Sequence, residues 1–295
     1  MCSVSTKETT PRIGKLNKKQ LTFVKKRMDF SKIKLIVSDM DGTLLNSNHA
    51  VSDYFFELFR KLQKENIHFA AASGRQYQSI VEKLDSIQND ITIISENGGF
   101  GKYEKEDLFV FDLPIHQINI PIQLLRELED PYIVLCGKKA AYVESKDQNF
   151  ITTFSQFYSS FQVVDDLTKI THDTIFKIAV YHKECSETYI LPLLKNLPKD
   201  FQILVSGKNW LDISHHNANK GKALTLLQKK LGISREETMV FGDYNNDLKM
   251  LTQAKFSYAM ANAHPNVKKV AHFETKSNDE NGVEIVLEQV LNSRK

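Results

Sequence analysis

The alternation of apolar and polar positions changes period several times along this 295-residue chain, and each change marks an element. Ile33-Lys34-Leu35-Ile36-Val37 is too continuously apolar for a half-exposed strand and too short for a helix, so it reads as a central strand of a parallel sheet. Phe55, Leu58, Phe59 and Leu62 then recur at three- and four-residue spacing behind Ser52, the pattern of an N-capped amphipathic helix. Ile67 to Ala72 is the next strand. A helix through Ile80, Val81 and Leu84 follows, then a strand from Ile91 to Ser95 and a hairpin between Phe100 and Leu113. Strand and helix alternate as βαβαβ, the order of a doubly wound sheet.

From 114 to 214 the texture changes. Helix candidates at Ile118–Leu128, Gln148–Tyr158 and Glu187–Leu197 alternate with strand candidates at Tyr132–Cys136, Ala141–Glu144, Phe161–Val164, Ile175–Tyr181, Phe201–Val205 and Trp210–Ile213. Strands separated by Gly-Lys-Lys or Gly-Lys-Asn are hairpins, so this stretch reads as a small α+β layer with antiparallel pairs. The first texture returns at Asn219-Lys220, with a helix through Leu224, Leu227 and Leu231, strands at Thr238–Gly242 and Phe256–Met260, and helices at Leu248–Thr252, after Pro265 and at Val283–Leu291. The expected fold is therefore α/β: a doubly wound, Rossmann-like parallel core formed by 32–113 and 215–295, with an α+β domain inserted at 114–214.

Composition adds one region and removes several function classes. Residues 1–34 carry ten Lys/Arg against Glu8 and Asp29, a surplus of eight in a chain whose net charge is only +3, so the remainder is acidic. A basic arm of this kind either binds an anionic surface or is a solvated extension; residues 1–31 are read as a flexible extension in which Leu16, Leu21, Phe23 and Val24 support one short helix. The acidic remainder argues against a nucleic-acid-binding body. No apolar run reaches the roughly 18 residues of a membrane span, and the chain does not open on a signal-peptide pattern. Cys2, Cys136 and Cys185 are scattered without metal-ligand spacing, which fits reduced thiols in the cytoplasm. Neither a P-loop nor a Gly-x-Gly-x-x-Gly after a strand is present.

The chemistry lies at the strand tips. Asp39 and Asp41 are two apart and share a face while the chain stays extended. Further tips carry Ser73-Gly74-Arg75 and Asp243-Tyr244-Asn245-Asn246-Asp247, and a helix begins at Lys220. Strand C-termini of a parallel sheet lie on one edge, so these groups converge there. Carboxylates with no His or Cys among them suit Mg²⁺. Together with a hydroxyl and a lysine they are the parts of phosphoryl transfer through an aspartyl nucleophile.

The four motifs Asp39-Met40-Asp41-Gly42-Thr43, Ser73-Gly74-Arg75, Lys220-Gly221 and Gly242-Asp243-Tyr244-Asn245-Asn246-Asp247 resemble those of the haloacid dehalogenase superfamily of phosphatases, over residues 33 to 295. The place of the insert, between Ser73 and Lys220, resembles the Cof-type hydrolases and makes 114–214 an α/β cap. The resemblance implies that Asp39 is the nucleophile and Asp41 the acid and base. It implies Mg²⁺ held by the Asp39 carboxylate, the Asp41 carbonyl and Asp243, with Asp247 in support. Phosphate would be bound by Ser73, Lys220, Asn246 and main-chain N–H groups around Met40 and Gly74.

The activity so implied is Mg²⁺-dependent hydrolysis of small phosphorylated metabolites, sugar phosphates or phosphorylated cofactors, by a cytoplasmic monomer or weak homodimer that binds neither nucleic acid nor membrane. The alternatives are a phosphomutase of the same superfamily and a non-catalytic binding protein, though the latter would be expected to have lost one of Asp39, Asp41 and Asp243. Arg75 either orients its loop or faces solvent. His215-His216 either contacts substrate or is a solvated hinge, and Trp210 is read as packing.

Overall fold

The computed structural model describes residues 29–128 and 131–294. Most of the basic extension, with its expected short helix, and Cys2 therefore lie outside the described residues. Two sheets organise the rest. The first has eight strands in the order β14-β13-β12-β1-β2-β3-β4-β5. Its centre is β1 (Leu35–Asp39), which pairs in parallel with β2 (His68–Ala72) on one side and β12 (Thr238–Gly242) on the other, with Val37 opposite Ala70 and Val240. β3 (Thr92–Ser95), β13 (Phe256–Ala259) and a two-residue β14 (Phe273–Glu274) extend the parallel set. β4 (Phe100–Tyr103) and β5 (Glu106–Val110) close one side as the antiparallel hairpin expected there.

Burial on both faces is why β1 could not alternate. Leu35, Ile36 and Val37 are fully buried, and each such side chain contributes about 1.5–3 kcal/mol relative to exposure. α1 (Asp53–Lys64) lays Phe55, Leu58, Phe59 and Leu62 on the sheet, its first turn capped by Ser52 Oγ accepting from Phe55 N at 3.0 Å. α9 (Gly282–Asn292) packs beside α1, and Ser52 Oγ also donates to Glu284 at 2.6 Å across that contact. α2 (Tyr77–Lys83), α6 (Lys220–Leu231), α7 (Leu248–Leu251) and α8 (Pro265–Val270) are the other helices associated with this sheet.

The second sheet runs β10-β11-β9-β6-β7-β8 and is built from β6 (Tyr132–Gly137), β7 (Ala141–Val143), β8 (Phe161–Val163), β9 (Ile175–Tyr181), β10 (Phe201–Val205) and β11 (Trp210–His215). Alternation divides its faces. Leu135, Ile178, Leu211 and Ile213 pack against Ile118, Ile122 and Leu125 of α3 (Ile115–Arg126), whereas Val134, Cys136 and Ala179 pack against Phe150 and Phe154 of α4 (Gln148–Phe154).

The chain departs from its sequence pattern at three places. The helix expected over Gln148–Tyr158 stops at Phe154, where Phe157 N turns back onto the Phe154 carbonyl at 3.0 Å, and the carbonyls of Gln156 and Phe157 beyond it accept from Arg75 and Ser79 of the first layer. The helix expected over Glu187–Leu197 survives as one turn, α5 (Ser186–Tyr189); Pro192 disfavours α geometry in the residue before it, and 191–196 tightens to a 3₁₀ segment. β8 pairs with β7 in parallel rather than antiparallel. No helix among the described residues is long and apolar enough to cross a membrane.

Candidate active site

Asp39 ends β1, only 4% exposed, and its Oδ1 accepts from Lys220 Nζ at 2.5 Å. Lys220 enters from the first turn of α6, which is capped by Asn219 Oδ1 accepting from Lys222 N. The same ammonium donates to Asp247 Oδ1 at 2.7 Å, while Asp247 Oδ2 accepts from the main-chain N–H groups of Asp243 and Tyr244. Asp247 is thus a positioning group: it holds the β12 tip and the lysine at once. Asp243 stands on that tip and accepts from Thr43 Oγ1 at 3.3 Å.

One carboxylate oxygen from each of Asp39, Asp243 and Asp247 lies within 4.8 Å of the others. Two glycines make this approach possible. A Cβ on Gly42 would lie 2.3 Å from Asp243 Oδ2, at a φ of +72° that disfavours L side chains, and one on Gly242 would lie 2.6 Å from Asp247 Oδ2.

Electrostatics follow from that crowding. Burial, with the charges of Asp247 and Asp243, holds the Asp39 carboxyl well above the usual range against the pull of Lys220. Burial and Asp247 push Asp243 up to about 7. Burial alone would lower the Lys220 ammonium, but Asp247 and Asp39 outweigh it and keep it above its ordinary value. Three carboxyl groups crowd one ammonium, and an all-oxygen donor set of this size fits Mg²⁺, whose charge would relieve that crowding.

Asp41 points elsewhere. Its carboxylate, 37% exposed, is gripped by Arg75 through Nε to Oδ2 at 2.7 Å and Nη2 to Oδ1 at 2.6 Å, with His49 Nδ1 3.6 Å from Oδ1. Of the two possibilities left open by the sequence, solvent exposure is therefore excluded for Arg75. Ser73 is buried, its Oγ accepting from Arg75 N and its carbonyl from Asn97 N. Met40 turns its side chain into the core, so only its main chain can serve the site.

Asp39, Asp41, Ser73, Gly74, Asp243 and Asn246 open onto a cavity of about 460 Å³. Its opposite wall comes from the second sheet. Phe157, Tyr158 and Trp210 form an aromatic side, and Lys177 and Asp212 lie beside them. Trp210 packs edge-on to Phe157 and Tyr181 and still lines the cavity, so it serves both packing and the wall. His215 does not reach the cavity; it stacks on Phe111 and accepts from Asn217 N at the return between the sheets.

Sequence reasoning missed the joint between the layers. Lys177 Nζ on β9 donates to the Gly74 carbonyl at 2.8 Å and pairs with Glu96 Oε2 at 3.0 Å and Asp212 Oδ2 at 3.3 Å. Asp212 also accepts from Asn97 Nδ2 at 2.7 Å, and Asn97 Oδ1 accepts from Asn246 Nδ2 at 3.0 Å. Burial raises the Glu96 carboxyl although Lys177 opposes it. Glu96 and Asn97 both have φ above +50°, uncommon for residues other than Gly, and the Glu-Asn-Gly-Gly tip was the local signal that could have found them.

Residues 36–287 match the family of haloacid dehalogenase-like hydrolases. The chain belongs to that family. It is 32% identical over 262 residues to the 5-amino-6-(5-phospho-D-ribitylamino)uracil phosphatase YbjI of Escherichia coli (strain K12), covering 88% of this chain and 96% of that one. A Bacillus subtilis (strain 168) protein with the same activity in its name, YitU, is 24% identical over 262 residues, covering 84% and 94%. The crystal structure of SMU.1108c from Streptococcus mutans UA159 superposes with a TM-score of 0.83 at 30% identity, covering 88% and 99%. This haloacid dehalogenase-like enzyme is a phosphoric monoester hydrolase.

Proposed function

We propose that the enzyme hydrolyses a small phosphorylated metabolite through an aspartyl-phosphate intermediate with Mg²⁺ as cofactor. The observation that carries the reading is the placement of Asp39: buried at the tip of β1, paired with Lys220, flanked by Asp243 and Asp247 and open to the cavity. Asp39 and Asp243, supported by Asp247 and the Asp41 carbonyl, would hold the metal. Bound there, it would neutralise phosphate charge and polarise the phosphoryl oxygens.

Asp39 attacks phosphorus as Asp41 delivers a proton to the departing oxygen, breaking the P–O bond of the substrate. Asp41 then takes a proton from water as that water attacks the same phosphorus. The P–O bond to Asp39 breaks, and inorganic phosphate leaves with the Asp39 carboxylate and the protonated Asp41 acid restored. Ser73, Asn246 and the main chain at Met40 and Gly74 grip the phosphoryl oxygens, and Lys220 offsets their charge.

Residues 114–214 act as a cap domain over a catalytic body of 32–113 and 215–295, working as a monomer or weak homodimer in the cytoplasm, where the free thiols of Cys136 and Cys185 stay reduced. The aromatic side of the cavity favours a leaving group that carries a planar ring as well as hydroxyls, as in the substrate named for the Escherichia coli and Bacillus subtilis relatives.

The test is a panel of phosphomonoesters with Mg²⁺ and with chelator. Release of inorganic phosphate that chelator abolishes and Mg²⁺ restores is expected, fastest for ring-bearing polyol phosphates. A phosphorylated product of unchanged mass would identify a phosphomutase instead. In Asp41→Asn, p-nitrophenyl phosphate should give a burst of about one phenolate per site and a phosphate trapped on Asp39. Absence of any trapped phosphate would sink the covalent mechanism.

A further inference from the structure

Arg75 is almost wholly buried, with 2% of its side chain exposed, yet it forks onto a carboxylate that is 37% exposed. A surface ion pair contributes little to stability, so a buried guanidinium spent on a half-exposed Asp41 is poorly explained as a fold-stabilising contact. Apart from a 3.5 Å approach of Nη2 to His49 Nδ1, its other side-chain contacts lead out of the catalytic layer. Nη1 donates to the Gln156 carbonyl at 2.8 Å, and the guanidinium lies 5.2 Å from the centroid of the Phe157 ring.

That turn of the cap is docked by the residues that follow Arg75 in the chain. Gln76 Nε2 donates to the Ser160 carbonyl at 2.9 Å while Gln76 Oε1 accepts from Ser160 N at 3.2 Å. Ser79 Oγ donates to the Phe157 carbonyl at 2.8 Å and accepts from Ser159 N at 3.1 Å. All but the Ser79 Oγ–Ser159 Oγ contact at 3.2 Å read cap main chain, so docking by Gln76 and Ser79 depends chiefly on where the turn is. A guanidinium is always charged and rigidly planar. When the turn withdraws, Arg75 loses an acceptor and its ring, and its fork is no longer held in place.

We propose that Arg75 is a positioning residue that makes the orientation of the Asp41 carboxylate depend on the docking of the cap turn at 156–160. The proposal rests on the reading of Asp41 as acid and base. A carboxylate accepts from about four directions; the fork takes two and leaves the others for the substrate's leaving oxygen and the incoming water. The cap thereby licenses proton transfer only when it is seated over the substrate, which guards the phospho-enzyme step against an open cavity.

The test uses kcat/KM, which reports all steps through departure of the leaving group, on a sugar phosphate and on p-nitrophenyl phosphate. An alkoxide needs the proton of Asp41 and a nitrophenolate does not, so a disoriented Asp41 should slow the first substrate selectively. Arg75→Ala should cost the sugar phosphate about 30-fold or more and the aryl phosphate about threefold or less, within the range set by a lost general acid. Added guanidinium should recover part of the difference. Arg75→Lys, which keeps charge and stem but not the fork, should fall between; wild-type rates on both substrates in that variant would overturn the proposal even if the alanine variant did not fold. The double variant Gln76→Ala, Ser79→Ala touches neither Asp41 nor the cavity and should show the same selectivity, weaker.

Asp41→Asn is the control that separates two failures. If it is selective and Arg75→Ala is not, the positioning role is wrong and the mechanism stands. If Asp41→Asn slows both substrates equally, the acid assignment falls and the inference falls with it.

Discussion

The two sheets contribute to one cavity by opposite means. The parallel sheet is buried on both faces and offers chemistry only at its edge, where Asp39, Ser73 and Asp243 leave consecutive positions in the sheet order as short motifs. The mostly antiparallel cap sheet offers a face. Lys177 and Asp212 are single polar residues set between apolar ones along β9 and β11, Trp210 opens β11 two positions before Asp212, and Ile178, Leu211 and Ile213 point to the other side. A strand tip can be rebuilt without disturbing packing, whereas a residue on a sheet face is part of the packing. Bond making should therefore depend on the first layer and recognition on the second, with Lys177 joining them.

The strongest way to break that division is Asp39→Asn. Turnover should fall by about a thousandfold or more, with a native melting temperature and retained binding of substrate measured by calorimetry. Loss of binding to the same extent would mean that recognition is not carried by the cap face. Next comes the joint. Lys177→Met leaves Glu96 and Asp212 buried without their cation and should cost about 3 kcal/mol in urea denaturation, a large effect for a residue outside the proposed chemistry. A cost under about 1 kcal/mol would show that the two layers are held by other contacts.

The interior of the first sheet also predicts acid sensitivity. Burial lowers His68 on β2 to about 4, from 6.5 in the open chain, so the folded ring stays neutral where the unfolded one takes up a proton. That contribution is complete above pH 6.5 and is lost as pH falls toward 4. At pH 5 the loss amounts to about 2 kcal/mol, so in His68→Gln the stability gap between pH 7.5 and pH 5 should shrink by that amount. An unchanged gap would place the acid-sensitive groups elsewhere. The smallest effect sharpens the cap's side of the comparison: Trp210→Ala should raise KM about tenfold for a ring-bearing substrate while leaving kcat, and the KM for simple sugar phosphates, nearly unchanged. Equal changes for both substrates would reduce Trp210 to packing.

Much of this was legible in the chain because the parallel sheet writes its site locally. Continuous apolar runs gave the central strands, and each ended in a motif whose residues stay within a few positions of one another, so convergence followed from topology alone. The end of α4 was not legible: the apolar spacing of Phe150, Phe154 and Tyr158 continues past Phe154, and the turn that follows is held by Arg75 and Ser79, some eighty residues away. β14 is two residues long and defined by its pairing with β13.

What the amino-acid order determined by itself was the α/β class, the insertion of a second layer and the convergence of Asp39, Asp243, Ser73 and Lys220, since each depends on periodicity or on a contiguous motif. What only the tertiary structure decided was the partner of each charge. Asp41 could have joined the carboxylate cluster or turned away from it, and it turned to Arg75; Asp247, one of the three carboxylates of the cluster, is also a bracket for Lys220 and the β12 tip. Lys177 and Asp212 have no motif around them at all. The physical reason is that strand and helix formation are set by local spacing, while the pairing of buried charges is set by which backbones the fold brings within about 3 Å, and that distance is a property of the whole chain.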